Sequence, residues 1–196
     1  MIRNGWRLLT GDFRPRCFRE DDEAWYRFPM VSENFGTPVG LKRLRQLRSS
    51  SPRLRAVAAK EFAAKVAEFL PPNAWLSYMP SSTRRSSQSD NDSIEHLFLS
   101  ALRASRPDVT TVEPLLRTSP APSVHDERIH DVALLRSTLQ AASVMIDTET
   151  LYVADDLVCS GATYAAFRAA LAHLWPNVRT VLLTLVFTPR KPRLFE

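Results

Sequence analysis

From Leu54 onward, apolar residues recur three and four positions apart, at Val57, Ala58, Phe62, Val66, Phe69 and Leu70, and the pattern stops at Pro71-Pro72. That spacing is one face of a helix and the proline pair ends it, so a helix is predicted over 54–70. A short apolar run, Trp75–Met79, ends in Pro80 and reads as a strand. A second helix is predicted over 93–104, with Ile94, Leu97, Phe98 and Leu102 on one face. Val109–Val112 reads as a second strand, and Val132–Leu139 fits either a strand or a helix. Leu151–Ala154 is an apolar strand, Thr163–Leu174 a helix, and Thr180–Phe187 a strongly β-forming last strand. Strands alternating with helices predict an α/β fold around a parallel sheet with right-handed crossovers.

The opening segment follows neither period. It holds Pro15, Pro29 and Pro38, four of the five glycines, an acidic run at 20–23 and then Trp25, Tyr26 and Phe28. A basic stretch follows, made of Lys42, Arg43, Arg45, Arg48, Arg53 and Arg55. Residues 1–72 are therefore read as an accessory region and 73–196 as the α/β core.

Composition narrows the class. A chain of 196 residues with 44% hydrophobic content suits one domain with a proper core and a small appendage. The formal charge of +5 suits an anionic ligand, and a basic surface also suits nucleic acid. No apolar run is long enough to span a membrane, and the start does not read as a signal peptide. Cys17 and Cys159 make no disulfide framework, which points to a reducing cytoplasm.

The chemistry concentrates at Leu151–Thr163. The stretch reads as an apolar strand, the acids Asp155 and Asp156, a turn of small and hydroxyl residues (Cys159, Ser160, Gly161, Ala162, Thr163) and then a helix. Gly161 is the one glycine after Gly40, and it falls where strand hands over to helix. Backbone N–H groups and the helix dipole at such a junction hold phosphate. Two acids at a strand's carboxyl end lie where open α/β sheets bind their ligands. A buried strand followed by a capped helix would explain the helix start, but not two acids plus a turn of this length. No Walker loop occurs, and one glycine cannot make a dinucleotide fingerprint.

This pattern resembles the phosphoribosyl pyrophosphate (PRPP) signature of the type I phosphoribosyltransferases, and each position from Leu151 to Thr163 fits it. The resemblance implies that Asp155 and Asp156 accept hydrogen bonds from the ribose 2′- and 3′-hydroxyls. It implies that Cys159–Thr163 wraps the 5′-phosphate, and that Mg²⁺ assists the loss of pyrophosphate, reaching the two acids through ribose or water. The loop Ser81, Ser82, Thr83, Arg84 and Arg85 stands where the family binds pyrophosphate, and guanidinium forks match phosphate oxygens. Arg117–Arg128, with His125 and Arg128, stands where family members carry a mobile loop, and its arrangement is similar to the competence-associated (ComF-type) branch. The glutamine expected mid-loop and the zinc-ligand cysteines of that branch are absent.

The expected activity is a Mg²⁺-dependent phosphoribosyl transfer from PRPP to a nitrogenous acceptor, and a homodimer is compatible with it. The alternative is a non-catalytic PRPP or nucleotide sensor whose basic N-terminal stretch binds nucleic acid; the enzyme is favoured, because both the phosphate loop and the acid pair are complete.

Overall fold

A computed structural model describes residues 2–3, 6–9, 30–35, 38–81, 93–120, 131–158 and 161–187. Three strands come first: β1 (Ile2–Arg3), β2 (Trp6–Leu9) and β3 (Met30–Phe35). Two helices follow, α1 (Pro38–Leu47) and α2 (Pro52–Phe69). The core then runs β4 (Trp75–Tyr78), α3 (Ile94–Ser105), β5 (Thr110–Thr111), β6 (Leu115–Arg117), α4 (Val132–Ser137), β7 (Leu139–Ala141), β8 (Thr150–Val158), α5 (Ala162–Leu174) and β9 (Arg179–Phe187).

The fold is α/β with a mostly parallel sheet. Seven strands pair in the order β1-β2-β3-β9-β8-β4-β5, with β3, β9, β8, β4 and β5 mutually parallel and the β1–β2–β3 edge antiparallel. From β4 the chain moves outward to β5, whereas from β8 it moves the opposite way to β9. The strand order therefore reverses between β4 and β8, which pair directly, with Tyr78 opposite Ala154.

Helices cover both faces. Leu44, Leu47, Ala58, Ala59, Phe62, Ala63 and Val66 of α1 and α2 join Phe98, Leu99 and Leu102 of α3 over Leu76, Tyr78, Ala154 and Leu183 of the sheet. Phe98 is fully buried, with its ring 4.9 Å from Phe62 and 5.1 Å from Tyr78. On the other face Tyr164, Phe167 and Leu171 of α5 pack on Leu151, Val153 and Leu182. The alanines of α5 bring its backbone close to the sheet, and α4 closes over it through Leu135 against Ala162 and Ala166.

Local chemistry sets the ends of these elements. Pro52 begins α2 at the position where a missing N–H costs nothing. The Ser93 hydroxyl accepts from the His96 N–H to cap α3. Arg106 donates to the carbonyls of Ala67, Leu70 and Pro71 and pairs with Asp108, which satisfies carbonyls at the end of α2 and ties α2 to α3. The turn at Pro71–Asn73 separates α2 from β4.

Several expectations change in detail. Residues 1–35, read as irregular, contribute three strands, of which β3 pairs with β9 inside the main sheet. The basic stretch builds the helix α1 and the start of α2. Val132–Ser137 resolves as a helix, and a small hairpin of β6 and β7 forms beside it. The signature strand runs on to Val158, so Asp155 and Asp156 lie within β8, in its last turns of pleat.

Candidate functional site

The carboxyl ends of β4 and β8 lie side by side, so Ser81 follows one strand while Asp155 and Asp156 lie near the end of the other. In open α/β sheets the crevice at the point where strand order reverses is where ligands bind. From β4 the chain leaves through Met79, whose N–H donates to the Ala154 carbonyl at 2.8 Å, and reaches Ser81. From β8 it leaves past Asp155 and Asp156 toward Gly161.

Gly161 occupies the N-cap of α5 with φ 82° and ψ 0°, the left-handed region that a side chain makes costly. Gly161 and Ala162 are buried and Thr163 half-buried, and Gly161 places no Cβ at the start of the helix. The Tyr164 hydroxyl donates to Thr180 Oγ1 at 2.7 Å and pins the first turn of α5 to β9. Burial raises the Tyr164 phenol above its ordinary range.

The acid pair is asymmetric. Asp156 is 11% exposed in its side chain and is held by Arg48, with Nε to Oδ2 at 2.7 Å and Nη2 to Oδ1 at 2.8 Å. This is the parallel two-point geometry in which a guanidinium and a carboxylate fit best. Among the described residues no such cation bonds to the Asp155 oxygens. Burial, and then the charge of Asp156, raise its carboxyl well above the usual range. Arg48 and the N–H groups of Asp156 and Leu157 pull the other way without reversing the shift.

Tyr78 stands beside the pair at the end of β4. It is 6% exposed, and its hydroxyl oxygen has no hydrogen-bond partner among the described residues. Burial and the charges of Asp156, Asp155 and Glu95 raise its phenol well above the ordinary value. The ring packs on Phe98 in the core between sheet and helices, which leaves the hydroxyl a buried donor with an unmet hydrogen bond.

No family model matches the chain, and no curated protein does.

Arg117 completes the described side of the crevice. It is 6% exposed, donates from Nε to the Ser81 carbonyl at 2.7 Å and from Nη1 to Thr138 Oγ1. Burial lowers its pKa, and among the described residues no carboxylate pairs with it. A buried cation held by neutral oxygens leaves positive charge for an anion. Arg117, expected at the start of a loop, instead ends β6 and pairs with Leu139 of β7.

Among the other expected site residues, Ser81 is described and exposed. Ser82, Thr83, Arg84, Arg85, His125, Arg128, Cys159 and Ser160 lie outside the described residues. The basic stretch is divided by the fold. Lys42, Arg45 and Arg53 are exposed, Arg43 lies 3.8 Å from Glu61, and Arg48 turns onto the acid pair. Arg48 was grouped with its basic neighbours in sequence, but helical spacing marks it out. Leu44, Leu47 and Arg48 stand at i, i+3 and i+4, so the cation shares the stripe that packs on the sheet. Among the described residues no cluster of three or more metal-binding side chains occurs, and no helix is long and apolar enough to cross a membrane.

Proposed function

We propose that this protein is a Mg²⁺-dependent phosphoribosyltransferase of type I, which binds PRPP in the β4–β8 crevice and transfers its phosphoribosyl group to a nitrogenous acceptor. The observation that carries the reading is the convergence at the reversal point. Two segments separated by some seventy residues, the Ser81 loop and the Asp155–Thr163 signature, leave neighbouring parallel strands in the same direction. A PRPP molecule needs its pyrophosphate, ribose diol and 5′-phosphate held in that order, and two segments that leave neighbouring strands on the same side support such a series.

In this reading the N–H groups at Gly161–Thr163 bind the 5′-phosphate at the start of α5. Asp155 and Asp156 face the ribose hydroxyls. Arg117, with the serines and arginines of the 81–85 loop, takes the pyrophosphate. The carboxylates are hard oxygen donors of the kind Mg²⁺ accepts through water or ribose oxygens, and the ion, when bound, would neutralise the leaving group. As the bond from C1 to pyrophosphate lengthens, positive charge grows on the ribose ring and the nearby carboxylates stabilise it. The two electrons of that bond leave with pyrophosphate, and the acceptor nitrogen supplies the pair for the new bond. A reducing cytoplasm suits a thiol in the phosphate loop at Cys159.

Calorimetry with PRPP and Mg²⁺ tests this reading. Binding is expected for the native chain and lost for Asp155→Asn/Asp156→Asn with the fold intact by circular dichroism. No heat at millimolar PRPP removes the assignment.

A further inference from the structure

The Arg48–Asp156 contact bears on how such a ligand gains entry. Each of the two guanidinium nitrogens reaches a different oxygen of the carboxylate, so the fork lies along the edge that joins Oδ1 and Oδ2. A vicinal diol that chelates a carboxylate presents two O–H donors side by side, and it takes that same edge. Guanidinium and diol are therefore alternatives there. Asp156 itself is fixed within a strand, whereas Arg48 sits just after the last residue of α1 with 42% of its side chain exposed, so the arginine is the partner with room to leave.

We propose that Arg48 is a built-in competitor for the ribose diol, a latch through which the N-terminal region regulates occupancy of the crevice. This inference rests on the reading of Asp155 and Asp156 as a diol site. In the unliganded chain the latch neutralises Asp156 and closes the diol edge. A ligand with both hydroxyls displaces the fork, and the freed arginine swings toward solvent or toward the ligand's phosphates. The latch also selects. A ligand with one hydroxyl offers a single donor in exchange for two charge-assisted bonds, and so does not open it.

The residues that flank Arg48 make the contact a link between two parts of the chain. Leu44 and Leu47 are packed in the core on the same helical stripe. The Arg48 N–H still donates to the Leu44 carbonyl at 3.0 Å, and Arg55 donates to the Ser49 carbonyl at 3.2 Å across the turn. Release of the fork removes the tie between this turn and β8, and the turn is then held by these local bonds and its packed leucines.

The experiment compares ribose 5-phosphate and 2-deoxyribose 5-phosphate by calorimetry on the full chain, native and with Arg48→Gln or Arg48→Lys, each folded by circular dichroism. Arg48→Gln is expected to bind ribose 5-phosphate about tenfold more tightly than the native chain, equivalent to ~1.4 kcal/mol, and to gain at least as much for the deoxy sugar, which the latch excludes from the native chain. Arg48→Lys, which keeps the charge but not the fork, is expected to fall between. Hydrogen exchange at residues 47–51 is expected to rise when ribose 5-phosphate binds the native chain. Equal or weaker binding by Arg48→Gln, with the native chain still binding, overturns the latch and leaves the site reading in place. Failure of every variant to bind ribose 5-phosphate or PRPP overturns both.

Discussion

Removal of the Arg48 side chain from the unliganded protein measures how the acid pair is held. The pair makes two charge-assisted hydrogen bonds at 2.7 and 2.8 Å, and such bonds contribute about 1.5–3 kcal/mol each in favourable settings. Arg48 is 42% exposed, so solvent screening reduces that figure, whereas Asp156 at 11% cannot regain water when its partner goes. Arg48→Ala should therefore cost about 2 kcal/mol, dominated by the carboxylate left beside Asp155. Asp156→Asn should cost about 1 kcal/mol, because the freed arginine can extend into water. The double variant should recover part of the sum, with a coupling of about 1–1.5 kcal/mol. Urea unfolding followed by tryptophan fluorescence reads these values as midpoint shifts at constant slope. For a chain of this size each ~1 kcal/mol moves the melting temperature by about 2–4 °C. Single costs that add within about 0.3 kcal/mol would show that the fork carries no interaction energy, and the reasoning from its geometry would fail.

Three further outcomes follow from other parts of the molecule. Phe98→Ala, which empties the space between Phe62 and Tyr78, should lower stability by about 3–5 kcal/mol in the same urea assay, and a loss under about 1 kcal/mol would show a core that collapses freely. Gly161→Ala should cost about 1–2 kcal/mol for its left-handed backbone and weaken binding of phosphorylated ligands, a joint loss that melting and calorimetry check together. Asp155 titrates above the ordinary carboxylate range in the folded chain, so it takes up a proton on folding. Its stabilising contribution is complete at pH below the unfolded value and disappears as pH rises through the folded one. Asp155→Asn should flatten that fall in stability across a pH series, and an unchanged profile would remove Asp155 as its source.

Helices α2, α3 and α5 were legible because their apolar residues keep helical spacing, and β4 and β9 because their apolar runs are short and punctuated. The junction at Gly161 was legible for a different reason: the residue's scarcity marked a backbone that other residues avoid, and its φ of 82° supplies the cause. Helix α1 was hidden by its own start, where Pro38 and Gly40 read as loop punctuation although proline is well suited to the first turn. Strand β3 was hidden because Ser32, Glu33 and Asn34 interrupt its apolar residues, and its partner β9 lies at the far end of the sequence. The Arg48–Asp156 fork joins residues 108 positions apart. Charge pattern along a sequence records which residues are basic, and only tertiary packing decides which of them meets an acid.

The pairing of β3 with β9 also sets a schedule for synthesis. Met30 waits for Leu182, so an early strand leaves the ribosome about 150 residues before its parallel neighbour exists. Until then only the β2 hairpin partner is at hand, and one edge of β3 stands open to other chains. Contacts this distant in sequence slow folding and lengthen the exposure of unfinished edges. The nascent chain is thus most vulnerable to aggregation in the interval before β9 emerges, and a ribosome stall just ahead of Arg179 would yield a species with α2 and α3 formed and its sheet still divided.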